Sequence, residues 1–275
     1  MTVLQSIILG IVQGLTEFLP ISSSGHLVLV PHLFGWELDP DFVFIFDVLV
    51  QMGTLVAVII FYRARLWKIA RAFLNGLKTR QPFADQDSRL GWYLIFATLP
   101  GVSVALIING FVETAFKSPL IVAGFLFLTA GLLVLGEQAG QQTRRLEQLK
   151  AVDALWIGFA QALSILPGVS RSGSTITGGM LRGLDRKDAA DFSFLMSIPI
   201  MIGAGVYSLA NLAQTPALFT YLPQLASGFI AAGVVGYLSI AWLLRFLKKQ
   251  SLKWFALYCA LMGSLVLIME YASSF

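Results

Sequence analysis

Apolar residues fill most of this chain in long runs, and the polar positions that interrupt them are concentrated in two short stretches. A helix needs roughly 20 apolar residues to cross about 30 Å of hydrocarbon. Six runs are long enough to predict membrane-spanning helices: 42–62, 91–111, 119–137, 190–212, 222–245 and 253–272. The pattern therefore predicts an all-α polytopic membrane protein.

Regions 3–30 and 153–182 follow a different pattern. In each, about 10 to 15 apolar residues lead to a proline, a turn rich in serine and glycine, and a second short apolar piece. These pieces are too short to span, and irregular backbone at membrane depth is tolerated only where protein or a water-filled cavity surrounds it. Each region predicts a re-entrant helix hairpin, which enters the membrane and returns to the same side.

The two polar stretches are versions of one another. Reading from Gly10 gives Gly-x-x-Gln-x-Leu-Thr-Glu-x-Leu-Pro-x-Ser-x-Ser-Gly, and reading from Gly158 gives Gly-x-x-Gln-x-Leu-Ser-x-Leu-Pro-x-x-Ser-x-Ser-Gly. Copies about 148 positions apart indicate two related halves, about 1–140 and 152–275, in a single membrane domain covering 1–275. Each half holds one hairpin and three spans. Because three is odd, the halves are predicted to be inverted repeats.

The distribution of basic residues sets the expected orientation. Of the 19 lysines and arginines, 17 fall in four clusters, at 63–89, 144–150, 182–187 and 245–253. In the six-span layout all four clusters lie on one side, which the positive-inside rule makes cytoplasmic. Both termini then face outward. The two remaining basic residues are Lys117, in an outer loop, and Arg171, which this layout places at membrane depth.

Composition excludes a water-soluble domain. The chain is 57% hydrophobic and only 12% charged, which is too little charge to cover a soluble protein of 30.0 kDa. The net charge of +4 has a topological explanation, so we expect contact with membrane lipids and no nucleic-acid partner. The single cysteine, Cys259, lies in an apolar run, which favours core packing over a disulfide or a cysteine metal site.

The second polar stretch has the features of an anion site. Serines beside glycines at the start of a helix direct backbone N–H groups and hydroxyls to one place, which suits phosphate oxygens. Arg171 adds a planar guanidinium, which binds phosphate in a bidentate manner. The predicted anion-binding residues are Ser170, Arg171, Ser172, Gly173, Ser174 and Thr175.

The first polar stretch carries the reactive side chains. Its candidate nucleophiles are Ser22, Ser23 and Ser24. His26 is a candidate base or nucleophile, and Glu17 supplies a carboxylate upstream. Ser22 and Ser24, like Ser172 and Ser174 in the second stretch, can equally cap backbone groups, whereas a histidine at membrane depth is costly without a role. Reactive groups in one hairpin and an anion site in the other predict phosphoryl transfer.

Three polar residues outside the two stretches have open roles. Asp47 and Gln51 form an i, i+4 pair near the start of the first span, and either line the same cavity or serve the structure. His32 follows Pro31 at the presumed outer surface, where an interfacial role is expected.

The chain resembles the bacterial undecaprenyl pyrophosphate phosphatases, the bacitracin-resistance family. Gly-Leu-Thr-Glu-Phe-Leu-Pro-Ile-Ser-Ser-Ser-Gly-His, ending at His26, and Pro-Gly-Val-Ser-Arg-Ser-Gly-Ser-Thr, ending at Thr175, are similar to its two signature motifs. The likeness continues through 46–53 and 191–195. It implies hydrolysis of undecaprenyl pyrophosphate to undecaprenyl phosphate and inorganic phosphate, which recycles the carrier for peptidoglycan synthesis and confers bacitracin resistance.

The resemblance also implies a cofactor and a location. The family uses a divalent cation, Mg²⁺ or Ca²⁺, in a site that faces the periplasm or outside of the bacterial inner membrane. Its functional positions fall on Glu17, Ser23, His26, Ser170 and Arg171 of this chain. Gln13 stands where many members have glutamate. Glu17 is then the main expected metal ligand, with Gln13 beside it and the substrate pyrophosphate supplying further oxygens.

These positions suggest a mechanism. Ser23 attacks the terminal phosphorus while His26 takes its proton, and Glu17 orients the histidine or holds the metal. Arg171 and the turn 170–175 stabilise the charge on the transferred group. Ser22, Ser24 and Gly25 are expected to contact the pyrophosphate. Direct attack by His26 stays open.

Three other functions compete with this interpretation. An inverted-repeat transporter or flippase for a lipid phosphate or small anion is the strongest, because broken helices that meet at mid-membrane are a transporter design. Transport alone does not require a serine and a histidine in one hairpin. An intramembrane serine protease has no use for Arg171, and acid-phosphatase-like lipid phosphatases need a histidine after their Ser-Arg, which this chain lacks. The oligomeric state is open, with a homodimer among the expected assemblies.

Overall fold

In the computed structural model, residues 1–107, 118–212 and 221–273 are described, and they form helices and no strands. The loop that holds Lys117 and the end of the predicted span 91–111 lie outside the described residues. The α-helices of the described part are α1 (Val3–Thr16), α2 (Ser23–Leu33), α3 (Pro40–Lys78), α4 (Gln86–Ile107), α5 (Pro119–Ala139), α6 (Ala151–Ala162), α7 (Arg171–Leu181), α8 (Arg186–Leu212), α9 (Leu222–Phe246) and α10 (Lys253–Ser273). The all-α prediction is confirmed.

Among the described residues, five helices are long and apolar enough to cross a membrane. They lie at Phe42–Lys78, Pro119–Ala139, Arg186–Val206, Leu222–Phe246 and Lys253–Ala272, and they coincide with five of the six predicted spans. The predicted span 91–111 falls on α4, which is described only as far as Ile107 and is not one of the five. The protein is therefore a multi-pass membrane protein.

Helix α3 is longer than the predicted span 42–62. Its 39 residues extend over about 58 Å at 1.5 Å per residue, which is nearly twice the thickness of the hydrocarbon. Residues 63–78 are rich in arginine, leucine, lysine and alanine, which are all good helix formers. The helix therefore continues beyond the apolar run and carries most of the first basic cluster.

Each predicted hairpin region is a pair of short helices separated by a break. Helices α1 and α2 are separated at 17–22, and α6 and α7 at 163–170, where a short 3₁₀ helix covers Leu163–Ile165. Each break contains a proline, which lacks the N–H that a continuing helix needs. Gly168 has a φ of 97°, and a Cβ atom there would lie 2.4 Å from the backbone oxygen of Val122. Only glycine fits this position without movement of the backbone.

The beginning of α6 and the end of α7 lie side by side. Asp153, in the first turn of α6, accepts a hydrogen bond of 2.6 Å from Nε of Arg182, which ends α7. Its other carboxylate oxygen accepts from Arg144 at 2.8 Å. The Asp153 side chain is completely buried between the two arginines. The second hairpin therefore closes on itself at the end away from its break.

The two breaks meet in the interior. Ser172 Oγ donates a 3.0 Å hydrogen bond to the backbone oxygen of Leu19, which joins the second break to the first. A Cβ atom added to Gly25 would lie 3.2 Å from the Cα of Gly168. Cys259 is buried and unpaired, with its sulfur 3.8 Å from the backbone oxygen of Pro20. The two polar stretches are therefore in contact.

Each short first helix packs against a long helix of the other half. Helix α1 lies on α9, and α6 lies on α4. A Cβ atom added to Gly14 would lie 2.8 Å from the backbone oxygen of Ala232 and 2.8 Å from the backbone nitrogen of Gly236. Small residues thus allow α1 and α9 to approach closely, as is common where helices pack in membranes. Phe18, in the first break, makes an edge-to-face contact with Phe194 on α8, with ring centroids 5.4 Å apart.

Candidate active site

Glu17 is at the centre of the site. It directly follows α1 and is 5% exposed. One carboxylate oxygen accepts hydrogen bonds from Gln13 Nε2 at 2.9 Å and from Ser23 Oγ at 2.6 Å. The other accepts from Arg171. A buried carboxylate is tolerated when it is paired and hydrogen-bonded in this way.

Arg171 approaches Glu17 from the second break. It is the first residue of α7, and its side chain is 16% exposed. Its Nη2 also lies 3.8 Å from the sulfur of Met201, on α8. Among the described residues, these side-chain contacts use Nη2 only. A guanidinium has five N–H donors, so Nη1 and Nε can still donate to a phosphate.

The three consecutive serines have different surroundings. Ser22 is the N-cap of α2, with a φ of 72°, and its hydroxyl accepts from the backbone N–H of Gly25 at 3.3 Å. Ser24 Oγ lies 3.4 Å from Ser22 Oγ. Ser23 donates to Glu17. Of the three predicted nucleophiles, Ser23 is therefore the one whose hydroxyl is bonded to a carboxylate.

His26 is held by other partners. Its Nδ1 lies 2.7 Å from the backbone oxygen of Ser22, and its Nε2 lies 2.7 Å from the hydroxyl of Tyr258 on α10. In the described structure the ring bonds to neither Ser23 nor Glu17. The expected proton transfer from Ser23 to His26 thus has no hydrogen bond, whereas a bond from Ser23 to Glu17 is present.

The second break is braced from α5. The hydroxyl of Thr129 donates to the backbone oxygen of Gly168 at 2.9 Å and accepts from the backbone N–H of Ser170 at 3.0 Å. Ser170 in turn caps α7, since its hydroxyl accepts from the backbone N–H of Gly173 at 3.0 Å. These contacts place the N-terminus of α7, and with it Arg171, beside Glu17.

The other predicted anion-binding residues support the turn. Ser172 bonds to Leu19 in the first break, as described above. The hydroxyl of Thr175 lies 2.6 Å from that of Ser193, on α8. Ser174 is buried, and its hydroxyl has no hydrogen-bond partner among the described residues. All of these residues border the helix start that carries Arg171.

Several contact residues could not be identified from the sequence. Thr54, on α3, lies 3.4 Å from Gln13 Nε2. Asp47, Gln51 and Thr54 lie on α3 at positions i, i+4 and i+7, so these three residues share one helix face. Thr129, Met201 and Tyr258 are polar or sulfur-containing residues in largely apolar helices. No motif marks them, and only the tertiary contacts identify them.

His32 lies away from this cluster. Its Nε2 is 2.7 Å from a carboxylate oxygen of Glu270, on α10, and both side chains are partly exposed. This position agrees with the expected surface role.

The protein side chains at this site supply only some of the oxygen ligands that a hard cation such as Mg²⁺ needs. No group of three or more histidine, cysteine, aspartate or glutamate residues is close enough to hold a metal within the described ranges. The side-chain oxygens that could bind a metal here belong to the carboxylate of Glu17 and the amide of Gln13. Mg²⁺ is commonly held by one or two carboxylates together with substrate phosphates, and the chemistry of this pair fits that arrangement.

Comparison with known proteins gives full-length matches. Residues 6–265 match the family model described as bacitracin resistance protein BacA. The undecaprenyl-diphosphatase of Chloroherpeton thalassium is 43% identical over 277 residues, which cover 98% of this chain and 97% of the relative. That of Moorella thermoacetica is 43% identical over 271 residues, covering 97% of each chain. That of Rubrobacter xylanophilus is 42% identical over 263 residues, covering 96% of each chain.

Proposed function

The chain belongs to the bacitracin resistance protein BacA family, and from this membership we propose that it is an undecaprenyl-diphosphatase. It hydrolyses undecaprenyl pyrophosphate to undecaprenyl phosphate and inorganic phosphate. This reaction returns the lipid carrier to cell-wall synthesis and underlies bacitracin resistance. The substrate is a lipid, which a protein of membrane-spanning helices can take directly from the bilayer.

One observation carries the proposal at the level of the site. A hydroxyl, a carboxylate and a guanidinium meet where the two breaks touch: Ser23, Glu17 and Arg171. Phosphoryl transfer needs a positioned nucleophile, an acceptor for its proton and positive charge for the transferred group. The three side chains supply these functions in a buried place, where electrostatic stabilisation is stronger than in water.

The geometry favours Glu17 as the first proton acceptor. Ser23 Oγ attacks the terminal phosphorus and passes its proton along the 2.6 Å hydrogen bond to Glu17. The bond from that phosphorus to the bridging oxygen breaks, and undecaprenyl phosphate leaves with the bridging oxygen. Water then cleaves the phosphoserine, which regenerates the Ser23 hydroxyl and releases inorganic phosphate.

Arg171 and the start of α7 bind the phosphoryl oxygens. While Nη2 of Arg171 stays on Glu17, its remaining N–H groups donate to the transferred group as negative charge spreads over it. The helix N-terminus adds a positive partial charge at the same place. Ser170, Gly173 and Thr129 hold this N-terminus in position.

We extend the proposal to a divalent cation, Mg²⁺ or Ca²⁺. Glu17 and the amide oxygen of Gln13 would hold it together with the pyrophosphate. When bound, the cation neutralises phosphate charge and polarises the phosphorus–oxygen bonds. Because Gln13 is uncharged, the protein supplies one carboxylate, and the substrate contributes most of the charge in the complex.

We also propose two re-entrant hairpins, six spans and inverted halves. The contact between Asp153 and Arg182 supports the second hairpin, because the first turn of α6 and the end of α7 share one side. The exchanged packing of α1 on α9 and of α6 on α4 supports a two-fold relation between the halves. With the basic clusters in the cytoplasm, the site opens to the outer face of the inner membrane.

Phosphate release tests the activity. Purified protein in detergent, given undecaprenyl pyrophosphate and Mg²⁺, is expected to release one phosphate per molecule and to lose this activity in Ser23→Ala. A folded wild type that releases none would contradict the proposal and favour a transporter of lipid phosphates.

Labelling in intact cells tests the topology. In a Cys259→Ala background, cysteines at Glu37 and Asn75 are expected to react from opposite sides of the membrane. Reaction of both from one side would refute the orientation. Crosslinking in native membranes would show whether the expected homodimer forms.

A further inference from the structure

Tyr258 makes a contact that the sequence motifs do not suggest. It lies in the apolar helix α10, 232 residues from His26, and its hydroxyl is 2.7 Å from Nε2 of that histidine. The two rings also stack, with centroids 5.6 Å apart and planes inclined by 13°. A residue of the last described helix therefore joins the hairpin that carries Ser23.

The hydrogen bonds of His26 define one tautomer. The backbone oxygen of Ser22 can only accept, so Nδ1, at 2.7 Å from it, carries the hydrogen. In a neutral ring Nε2 then has the lone pair. The hydroxyl of Tyr258 donates to this lone pair.

Burial makes the partner important. His26 is 3% exposed, while Tyr258 is 38% exposed. A buried ring nitrogen without a partner would cost the free energy of its desolvation. The hydroxyl of Tyr258 donates a hydrogen bond to this nitrogen, and its ring stacks on one face of the imidazole. Stacking and two hydrogen bonds together fix both the position and the rotation of the ring.

We propose that Tyr258 is a positioning residue for His26, which holds the imidazole in the Nδ1–H tautomer with Nε2 as a hydrogen-bond acceptor. The contribution to catalysis rests on the proposed function, because the fixed ring holds the backbone of Ser22, directly before the nucleophile Ser23, whereas the tautomer can be measured without activity. Phenylalanine at this position would keep the stacking and remove only the hydroxyl. Tyr258→Phe therefore separates positioning from packing.

The test combines spectroscopy with kinetics. The chain has two histidines, so protein labelled with ¹⁵N-histidine in a His32→Asn background reports on His26 alone. The wild-type spectrum is expected to show a protonated Nδ1 and an acceptor Nε2. Tyr258→Phe should shift the ¹⁵N resonances toward a mixture with the Nε2–H tautomer.

Tyr258→Phe should lower kcat and leave KM nearly unchanged. A misplacement of about 1 Å in a site can cost about 10²-fold in rate, so kcat should fall by about 10-fold to 100-fold while KM stays within about 2-fold. Tyr237→Phe is the matched control, because Tyr237 is also 38% exposed and contacts an aromatic ring, that of Phe61. It should leave both the spectrum and kcat unchanged.

Three results would overturn the inference. They are a wild-type spectrum with Nε2 protonated, unchanged ¹⁵N resonances in Tyr258→Phe, and an unchanged kcat in an active enzyme. An inactive wild type would instead count against the proposed function, and the spectra would still decide whether Tyr258 sets the tautomer.

Discussion

The guanidinium of Arg171 donates a hydrogen bond to the carboxylate of Glu17, although 154 residues separate the two in sequence. Both side chains are largely buried, at 16% and 4% exposure. Each lies at a break between two short helices. The opposite charges therefore stabilise the contact between the breaks, and the same contact assembles the site.

Replacing Arg171 should affect both activity and stability. In Arg171→Ala we expect kcat to fall by about 10²-fold to 10³-fold, as when one charge-stabilising donor is removed. The free energy of unfolding should fall by about 3–5 kcal/mol, because Glu17 is left as an uncompensated buried charge. Phosphate release and thermal unfolding in detergent measure the two effects.

A second substitution separates these effects. Adding Glu17→Gln to Arg171→Ala removes the orphan charge and should restore much of the stability but no activity. Arg145→Ala is the control, since Arg145 pairs with Asp185 at 65% exposure, and exposed pairs contribute about 0–1 kcal/mol. Equal losses in the two arginine variants would contradict the assigned role.

Ser23→Ala should abolish turnover while leaving the fold intact. The substitution removes the hydroxyl that donates to Glu17, so neither attack nor transfer of its proton can occur. Brief reaction with ³²P-labelled substrate followed by a quench in SDS at neutral pH, which preserves both phosphoserine and phosphohistidine, should label Ser23 in the wild-type protein. Ser264→Ala, in which a hydroxyl bonded to the backbone of α10 is lost, should stay active. A label on His26 would establish direct attack by histidine instead.

Phosphate release should depend on a divalent cation, and Gln13→Glu should make the protein bind that cation more tightly. EDTA is expected to stop phosphate release, and added Mg²⁺ should restore it. In Gln13→Glu the hydrogen bond to Glu17 is replaced by a second carboxylate, which repels Glu17 without a cation and binds the cation more strongly. The half-maximal Mg²⁺ concentration should therefore fall by about 10-fold, equivalent to about 1.4 kcal/mol. A rise in this concentration would argue against a metal at this position.

Acid should weaken the closed end of the second hairpin. Burial raises the pKa of Asp153, but hydrogen bonds from Arg144 and Arg182 outweigh it, so that its pKa lies below the ordinary value. The stabilisation is complete above about pH 4, where an unfolded aspartate ionises, and is lost as the pH falls through the folded pKa.

Asp153→Asn tests this directly. At pH 7 it should lower the free energy of unfolding by about 1.5–3 kcal/mol, because the buried carboxylate that accepts hydrogen bonds from two partly exposed arginines is lost. It should also flatten the dependence of stability on pH below pH 4. Glu147→Gln, at an exposed position shortly before α6, should change neither the stability at pH 7 nor its dependence on pH. Unfolding measured by tryptophan fluorescence at several pH values would show the difference.

Gly14→Val should separate α1 from α9. The added side chain would meet backbone atoms of Ala232 and Gly236 at 2.8 Å, and overpacking of this kind typically costs about 1–3 kcal/mol. Because Gln13 and Glu17 belong to the same end of α1, activity should fall with stability. Gly124→Val is the matched control, since a Cβ atom there has no neighbour within 4 Å. Equal thermal stability of the two variants would contradict the packing argument.

The sequence predicted five of the membrane-spanning helices and the two broken regions because local chemistry determines them. Apolar length gives the spans, and Pro20 and Pro167 with their serines and glycines give the breaks. It did not predict that Ser23 would bond to Glu17, because the five positions between them cross a non-helical turn of unknown geometry. The contact of Tyr258 with His26 depends on how α2 and α10 both pack against α5, which no local pattern encodes.

The sequence also did not predict the full length of α3. The apolar run ends near residue 62, so hydropathy predicts a boundary there. Helix propensity and packing against α4 continue the helix to Lys78. Hydropathy reports where the membrane ends, and that point need not be where the helix ends.

The separation of Glu17 from Arg171 also has a consequence for biosynthesis. At about 5–20 residues per second, the ribosome needs about 8–30 seconds to make the 154 residues between them. During that time the first hairpin has a carboxylate and no guanidinium to pair with it. The nascent chain must therefore keep Glu17 hydrated or shielded by the insertion machinery, and the first hairpin can settle only after the second has been translated.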